Sequence, residues 1–401
     1  MILKLDSVVA SGRKLLPDEY RLARRTSAHL DLIRGISAVA VLFYHLRGLF
    51  FVDFPFLARK SLFVEAVYAI TGYGHQAVIV FFVLSGYFIG TSVMESAGRR
   101  QWSWRTYLVS RLTRLQLVLF PALVLGAIWD RIGMRVPQGA ALYFDALYKF
   151  NGPSVALRST VPIFFGNLFF LQSISFPVFG SNGPLWSLSY EFWYYIAFPS
   201  LILMVAATAA RIRILYAGFL LILLWFIGPQ VSLYFLIWLA GAFAGRIQRT
   251  SKYKRSSWAL SAMGGALFVA SLAWCRTHRL YSDFVTDCVV GLCFAFWLYT
   301  LLLGSRDDAS AAYGNAAKKL AGFSYTLYLT HFPLLLLLRA LINPRGSWQP
   351  DPLHIAYAGG IAVLVVAYAF GMAQITEVRT ADVRRRLLLG PAAWLQSQSG
   401  T

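Results

Sequence analysis

Apolar stretches of about twenty residues recur along the chain, and no other feature restricts its fold as strongly. The first begins near Leu32 and the last ends near Met372. A helix of this length crosses the roughly 30 Å of hydrocarbon in a bilayer, where the backbone must satisfy its own hydrogen bonds. Charged residues make up only 13% of the chain and hydrophobic residues 58%, as is typical of membrane proteins. The sequence therefore predicts an all-α integral membrane protein.

The predicted spans are residues 32–52, 74–94, 112–130, 185–208, 212–227, 230–245, 257–275, 285–304, 323–341 and 355–373. A long segment between the third and fourth spans is rich in aromatic residues, proline and glycine. Within it, residues 161–176 are apolar but interrupted by polar groups, which predicts a short re-entrant or interfacial element. The expected architecture is a bundle of about ten transmembrane helices with a partly re-entrant outer segment.

The formal charge of +20 would suit a nucleic-acid partner if the basic residues were clustered for phosphate contacts. Most of the 37 lysines and arginines lie instead on the cytoplasmic side, if the N-terminus is cytoplasmic. This positive-inside bias predicts a lipid bilayer and no nucleic acid as partner, with both termini cytoplasmic. The expected organisation is a basic tail at 1–30, a transmembrane domain at 31–376 and a tail at 377–401. The three cysteines are too few and too apolar in setting for a metal site.

Two ionisable side chains share one face of the first span. Arg34 and His45 are eleven residues apart, which is close to three helical turns and roughly 16 Å along the axis. Ionisable groups within spans are costly and usually face a bundle interior or a watery cavity, so both are functional candidates. A surface anchor and a packing histidine are the alternatives, and the shared face weakens both.

Arginines and a carboxylate mark two further spans. Arg111 and Arg114 occupy positions i and i+3 near the start of the third span, and paired guanidinium groups suit phosphate oxygens. Positive-inside charge alone would also explain them. In the fourth span Ser187 and Glu191 stack at i and i+4. A carboxylate in an apolar, aromatic helix has no inexpensive structural role, so Glu191 should be protonated, paired or catalytic.

Polar residues in two other spans could contact substrates. His75 at the outer end of the second span could touch an acceptor, and Ser85 follows among small residues that suit close packing. In the ninth span Tyr328 and His331 lie on one helical stripe, which could line a passage for a donor. An interface histidine, helix packing and an interhelical hydrogen-bond seam are the respective structural alternatives.

From about residue 29 to about residue 380, these segments resemble the acyltransferase 3 family of membrane acyltransferases. The resemblance rests on Arg34 and His45 in HLDLIRGISAVAVLFYHL, VFFVLSGYFIG around Ser85, the pair Arg111 and Arg114, GPLWSLSYEFWYY with Ser187 and Glu191, and SYTLYLTHFP with His331. It implies about ten helices, a bacterial inner-membrane location and acyl transfer from acyl-CoA to a hydroxyl. The chain departs from the family at two helix ends. No proline soon follows Arg114, and a Glu-Arg-Pro-like signature is replaced by Glu377, Val378 and Arg379.

The resemblance implies an O-acyltransferase whose acceptor is a carbohydrate or glycolipid. Acetyl-CoA is the expected donor, and because it is a co-substrate no permanently bound cofactor is expected. His45 is the expected general base, since imidazole titrates near neutrality. The expected catalytic residues are His45, Arg34 and Glu191. The expected donor-binding residues are Arg34, Arg111, Arg114, Tyr328 and His331, and the expected acceptor-binding residues are His75, Ser85, Trp186 and Ser187.

Two alternatives stay open. A covalent acyl intermediate on Ser85 or Ser187 would also transfer an acyl group, although neither serine lies in a GxSxG pattern. A proton-coupled transporter or exporter of a glycan would also need buried arginine, histidine and glutamate. Such folds usually repeat one half of the bundle, and the sequence has no evident duplication. The sequence does not indicate the acceptor hydroxyl or the oligomeric state.

Overall fold

The computed structural model describes residues 24–99, 101–145, 154–250, 258–277, 283–303 and 312–389. Within these ranges the chain forms helices and no β-strand. In chain order the α-helices are α1 (Arg24–Phe50), α2 (Leu62–Ile70), α3 (Gly74–Gly98), α4 (Trp104–Gly133), α5 (Ala141–Phe144), α6 (Val155–Arg158), α7 (Val161–Leu168), α8 (Trp186–Ala206), α9 (Ala210–Thr250), α10 (Trp258–Thr277), α11 (Asp283–Leu303), α12 (Gly314–Ala321), α13 (Ser324–Ile342), α14 (Pro352–Ile375) and α15 (Thr380–Leu389). The predicted tails at 1–30 and 377–401 fall partly outside the described residues, at 1–23 and 390–401.

Nine helical stretches in the described ranges are long and apolar enough to cross a membrane. They confirm the predicted all-α integral membrane fold, in which the chain passes the bilayer several times. The first helix begins at Arg24, eight residues before the predicted span that starts at 32. Hydropathy marks only the apolar part of a helix, whereas the polar first turns of α1 pack against α12 and bury Leu30.

Helix α9 contains a sharp break near its middle. Its 41 residues would measure about 61 Å as one straight helix, roughly twice the hydrocarbon thickness of a bilayer. Gly228 interrupts it with φ 80° and ψ 170°, a conformation that glycine adopts readily because it has no Cβ. Pro229 follows and cannot donate a backbone hydrogen bond to the preceding turn. The two halves are therefore separate helical segments.

Contacts at both ends of α9 show that its halves run in opposite directions. In the first half Tyr216 accepts a hydrogen bond of 3.2 Å from Trp104 Nε1. In the second half Arg249 forms an ion pair with Glu95. Because α3 ends and α4 begins close to Glu95 and Trp104, the two ends of α9 lie at the same end of the bundle. The break at Gly228 thus makes a helical hairpin, which accounts for the two spans predicted at 212–227 and 230–245.

Helix α3 packs directly on the second half of α9. A Cβ atom added at Gly86 would overlap the backbone oxygen of Trp238, and one added at Gly241 would overlap the backbone oxygen of Val83. Small residues allow such close approach between membrane helices, where apolar side chains gain little by leaving lipid. The two glycines therefore fix the position of α3, which carries His75 and Ser85.

The segment predicted to be re-entrant forms α7 and then non-helical backbone. Gln172 is fully buried, and its Nε2 donates to the Leu185 carbonyl at 3.0 Å. Further along, Asn182 Nδ2 donates to the Leu329 carbonyl in α13 at 2.8 Å. Irregular backbone at membrane depth is tolerated where protein groups satisfy it. These contacts place the start of α8 against α13.

Candidate active site

A cavity of about 270 Å³ lies between α1, α3, α4, α8 and α13. Seven of the predicted site residues line it, namely Arg34, Ser85, Arg111, Arg114, Ser187, Glu191 and Tyr328. His45, His75, Trp186 and His331 are the predicted residues that do not line it. The arginines lie towards the side of the bundle where α3 finishes and α4 begins, and we call this side the basic end. The opposite side of the bundle is called the far end.

Three guanidinium groups reach the cavity from α1 and α4. Arg34 is held by the Ala321 carbonyl, which accepts from its Nη2 at 3.2 Å, and by Asp31 at 3.7 Å. The Nε of Arg111 is buried and has no hydrogen-bond partner among the described residues, whereas Arg114 is exposed. Convergent arginine donors around one opening suit a phosphate or carboxylate, which can accept two parallel hydrogen bonds from a guanidinium.

Glu377 also reaches the basic end, although the sequence placed it in a tail beyond the last span. Its Oε2 accepts hydrogen bonds from the Thr326 backbone nitrogen at 3.1 Å and the Thr326 hydroxyl at 3.0 Å. It satisfies a free N–H in the first turn of α13, and it lies close enough to Arg34 and Arg114 to interact electrostatically. The carboxylate therefore links the start of α13 to the arginines.

Glu191 faces the middle of the cavity and belongs to a polar cluster of four side chains. Its Oε1 accepts a hydrogen bond from Ser85 Oγ at 2.9 Å and another from the Tyr195 hydroxyl. Trp238 Nε1 donates to Ser85 Oγ at 3.2 Å. The contact with His45 that would let Glu191 orient the imidazole is not among these hydrogen bonds. Glu191 instead lies within electrostatic range of Arg34.

Ser187 and Tyr328 join α8 to α13 on another wall of the cavity. The Tyr328 hydroxyl donates to the Pro184 carbonyl at 2.9 Å. The Ser187 and Tyr328 hydroxyls are 2.8 Å apart, and either can be the donor, because Ser187 Oγ also lies 3.4 Å from the Pro184 carbonyl. The acceptors within reach of the Ser187 proton are therefore a phenol oxygen and a backbone carbonyl, neither of which is a base that would activate serine as a nucleophile.

His45 and His331 form a hydrogen-bonded pair of imidazoles. The His45 Nδ1 to His331 Nε2 distance is 3.0 Å. His331 Nδ1 lies 2.9 Å from the carbonyls of Leu327 and Tyr328, which can only accept, so Nδ1 carries the proton. With both rings neutral, His331 Nε2 accepts from His45 Nδ1–H. The lone pair of His45 then resides on Nε2, the position from which an imidazole acts as a base.

The histidine pair lies beside the cavity and away from the arginines. Helix α1 is continuous from Arg34 to His45, so the two side chains are roughly 16 Å apart along its axis, as the spacing predicted. His331 is one turn beyond Tyr328, which lines the cavity. Both ring nitrogens of His331 are engaged by protein atoms, so its influence on chemistry passes through His45.

A second cluster of ionisable groups lies at the start of α3. His75 Nε2 is 2.7 Å from Asp287 Oδ2 in α11, and the Tyr234 hydroxyl donates to the same oxygen at 2.7 Å. The His75 ring stacks on Trp186, with centroids 6.0 Å apart and planes 19° apart. The structure thus brings together His75 and Trp186, two of the residues that the sequence predicted to bind the acceptor. Sequence reasoning missed Asp287, although an aspartate within an apolar span was the signal that could have found it.

The sequence was compared with protein families, curated proteins and solved structures. A family described as "Acyltransferase domain" matches residues 27–372, from the first turns of α1 to the end of α14. The matched range contains the cavity, the histidine pair and the His75 cluster. No curated protein and no solved structure gives a significant match.

Proposed function

Because the chain belongs to the acyltransferase 3 family of membrane acyltransferases, we propose that it transfers an acyl group from acyl-CoA to a carbohydrate or glycolipid hydroxyl. Acetyl-CoA is the proposed donor. One observation carries the proposal, which is that three arginines line the cavity while the His45–His331 pair lies roughly 16 Å further along α1. This arrangement suits a molecule with anionic groups at one end and a reactive thioester at the other.

The arginines Arg34, Arg111 and Arg114 would hold the CoA phosphates. The phosphopantetheine arm is roughly 15–20 Å long by extended-chain reckoning, which is close to the separation of Arg34 and His45. Tyr328 lies on the cavity wall between these two regions, where it would contact the arm. Glu191, within electrostatic range of Arg34, would balance the positive charge of the cavity and keep Ser85 oriented.

His45 would act as general base through Nε2. The acceptor hydroxyl transfers its proton to Nε2 as its oxygen attacks the thioester carbonyl carbon. The carbon–sulfur bond then breaks, the ester is released, and the CoA thiolate takes up the proton from the imidazolium. His331 accepts a hydrogen bond from His45 Nδ1–H and so keeps the lone pair of the neutral ring on Nε2. Direct transfer is preferred to a serine intermediate because neither Ser85 nor Ser187 lies in a GxSxG pattern.

Because the proposed donor is cytosolic, the basic end that would bind it should face the cytoplasm. Acyl-CoA is a cytosolic metabolite, and the positive-inside bias assigns both chain termini to the same side. The far end then faces the outer side of a bacterial inner membrane, where His75 and Trp186 would meet the acceptor. In this proposal the acyl group crosses the membrane along the cavity and towards His45.

The test compares purified wild type with His45→Ala in lipid nanodiscs. We expect His45→Ala to lower the rate of free thiol release from acetyl-CoA by about 100-fold or more, with the CoA dissociation constant changed less than about twofold. Thiol release would be followed with a thiol reagent and CoA binding by titration calorimetry. Absence of both CoA binding and thiol release in the wild type, across several acyl-CoAs, would reject the proposal and favour a proton-coupled glycan transporter.

A further inference from the structure

One face of α3 runs from the cavity to the far end of the bundle. Val78, Phe82, Ser85 and Ile89 line the cavity, and their spacings of four, three and four residues place them on one helical face. His75 is three residues before Val78 and continues this face by one turn. The cavity wall therefore leads from the arginines at the basic end towards His75 at the far end.

The start of α3 lies at the same level as His45. A Cβ atom added at Gly74 in α3 would overlap the side chain of Tyr44 in α1. Gly74 directly precedes His75 and Tyr44 directly precedes His45, so the two helices are in contact next to both histidines. Ser187, next to Trp186 in α8, is bonded to Tyr328, which lies one turn before His331. The His45–His331 pair and the His75 cluster therefore flank the same part of the bundle.

Asp287 fixes the protonation of His75. The carboxylate is buried, with 1% of its side chain exposed, whereas 38% of the His75 side chain is exposed. Because an ionised carboxylate only accepts hydrogen bonds, the 2.7 Å contact places a proton on His75 Nε2. In neutral His75 the lone pair is then on Nδ1, and no residue in the described part of the chain hydrogen-bonds to Nδ1.

A carboxylate buried in a membrane helix is expensive unless its oxygens are satisfied. Here Tyr234 supplies a second donor to the oxygen that holds His75, and Trp186 stacks on the imidazole. The ring is therefore held on one edge and one face, and 38% of the side chain remains exposed. Such an arrangement presents one hydrogen-bonding nitrogen in a fixed direction beside an aromatic group.

We infer that His75, Trp186, Tyr234 and Asp287 form a binding subsite for the acceptor hydroxyls, with Asp287 as the positioning residue. His75 Nδ1 forms a hydrogen bond with a hydroxyl adjacent to the one that reacts at His45. Vicinal hydroxyls on a ring with apolar C–H faces, as in a hexose, match a fixed hydrogen-bonding nitrogen next to an aromatic side chain. The inference rests on the proposed function, and it adds Asp287 and Tyr234 to the site.

The test uses octyl β-D-glucoside, an amphipathic glucoside, as the acceptor, with saturating acetyl-CoA and nanodisc-embedded protein. The variant His75→Gln keeps a side-chain N–H for Asp287 but lacks the ring nitrogen Nδ1, and Asp287→Asn removes the charge that orients the ring. We expect each to raise the KM for the glucoside about tenfold or more. The kcat of ester formation and the CoA dissociation constant should change less than about twofold.

Asp283→Asn is the matched control, because Asp283 is an exposed acid one turn earlier in α11 that interacts with His75 only electrostatically. It should leave the KM unchanged. The inference is overturned if His75→Gln and Asp287→Asn keep the wild-type KM, or if the wild type releases thiol from acetyl-CoA without acylating the glucoside. A wild type that neither binds CoA nor releases thiol would instead reject the proposed function, so the two failures are distinguishable.

Discussion

His331 illustrates how one buried side chain can set the chemistry of another. Its Nδ1 proton is directed at backbone carbonyls of its own helix, as is favourable for a polar group that has left water. The other nitrogen must then accept from His45. We therefore propose that His331, which the sequence predicted to bind the donor, positions the proposed base His45.

We expect His331→Leu to lower kcat for thiol release about tenfold, because His45 loses its hydrogen bond to His331 Nε2 and the basic tautomer is less favoured. The CoA dissociation constant should not change, since His331 does not line the cavity. His354→Leu is the control, because His354 pairs with Asp351 at the start of α14. An effect of His331→Leu on CoA binding with an unchanged kcat would contradict the assignment.

The arginines of α4 offer a second test at this scale. Arg111→Gln should weaken CoA binding about tenfold, because a charge-assisted hydrogen bond to phosphate is lost, and the loss should be smaller at high salt. Arg131→Gln removes an exposed arginine at the other end of α4 and should have no effect. Calorimetric titration with CoA at two ionic strengths would measure both. Equal losses in the two variants would show that net charge, not the cavity, attracts CoA.

At the scale of helices, backbone contact between α3 and α9 keeps the site in register. Ser85 in α3 accepts a hydrogen bond from Trp238 in the second half of α9, and His75 in α3 shares the Asp287 oxygen with Tyr234 of that same half. The glycines at 86 and 241 allow no side chain between the two backbones. Any substitution that separates these helices should therefore disturb both polar clusters together.

Gly241→Ala tests this contact, because its new Cβ would overlap the Val83 carbonyl. We expect it to destabilise the protein by about 1–3 kcal/mol, as overpacking does, and to lower the midpoint of thermal unfolding in detergent. Gly218→Ala in the same helix is the control, since a Cβ there meets nothing within 4 Å and alanine is the better helix former. A Gly241→Ala variant as stable as Gly218→Ala would mean that the helices are not in backbone contact.

For the whole molecule, the hairpin in α9 decides how many times the chain crosses the bilayer. If α9 reverses at Gly228, both of its ends lie on the side of the basic end. With the three native cysteines replaced, Ala210→Cys and Thr250→Cys should react with an impermeant maleimide from the same side of sealed vesicles. Gln230→Cys, next to the break, should react from the opposite side. Labelling of Ala210→Cys and Thr250→Cys from opposite sides would show a single crossing and contradict the hairpin.

Much of this architecture could be predicted because it depends on local sequence. Hydropathy located the helices, since each span must satisfy its backbone within one continuous segment. The relation of Arg34 to His45 was predictable because both lie on one helix of known geometry. The interrupted apolar stretch at 161–176 indicated a short element, and α7 followed by non-helical backbone is present there.

The partners of the polar groups were decided only by tertiary structure. His45 meets a residue 286 positions away, Asp287 meets His75 across 212 positions, and Glu191 pairs with Ser85 and not with His45. A helix that is apolar on all sides carries no amphipathic signal to show which face meets which neighbour. Its rotation and pairing are set by close packing at small residues and by interhelical hydrogen bonds. The sequence therefore determined which segments cross the membrane and which residues were available for chemistry, while packing between distant helices determined which of those residues meet.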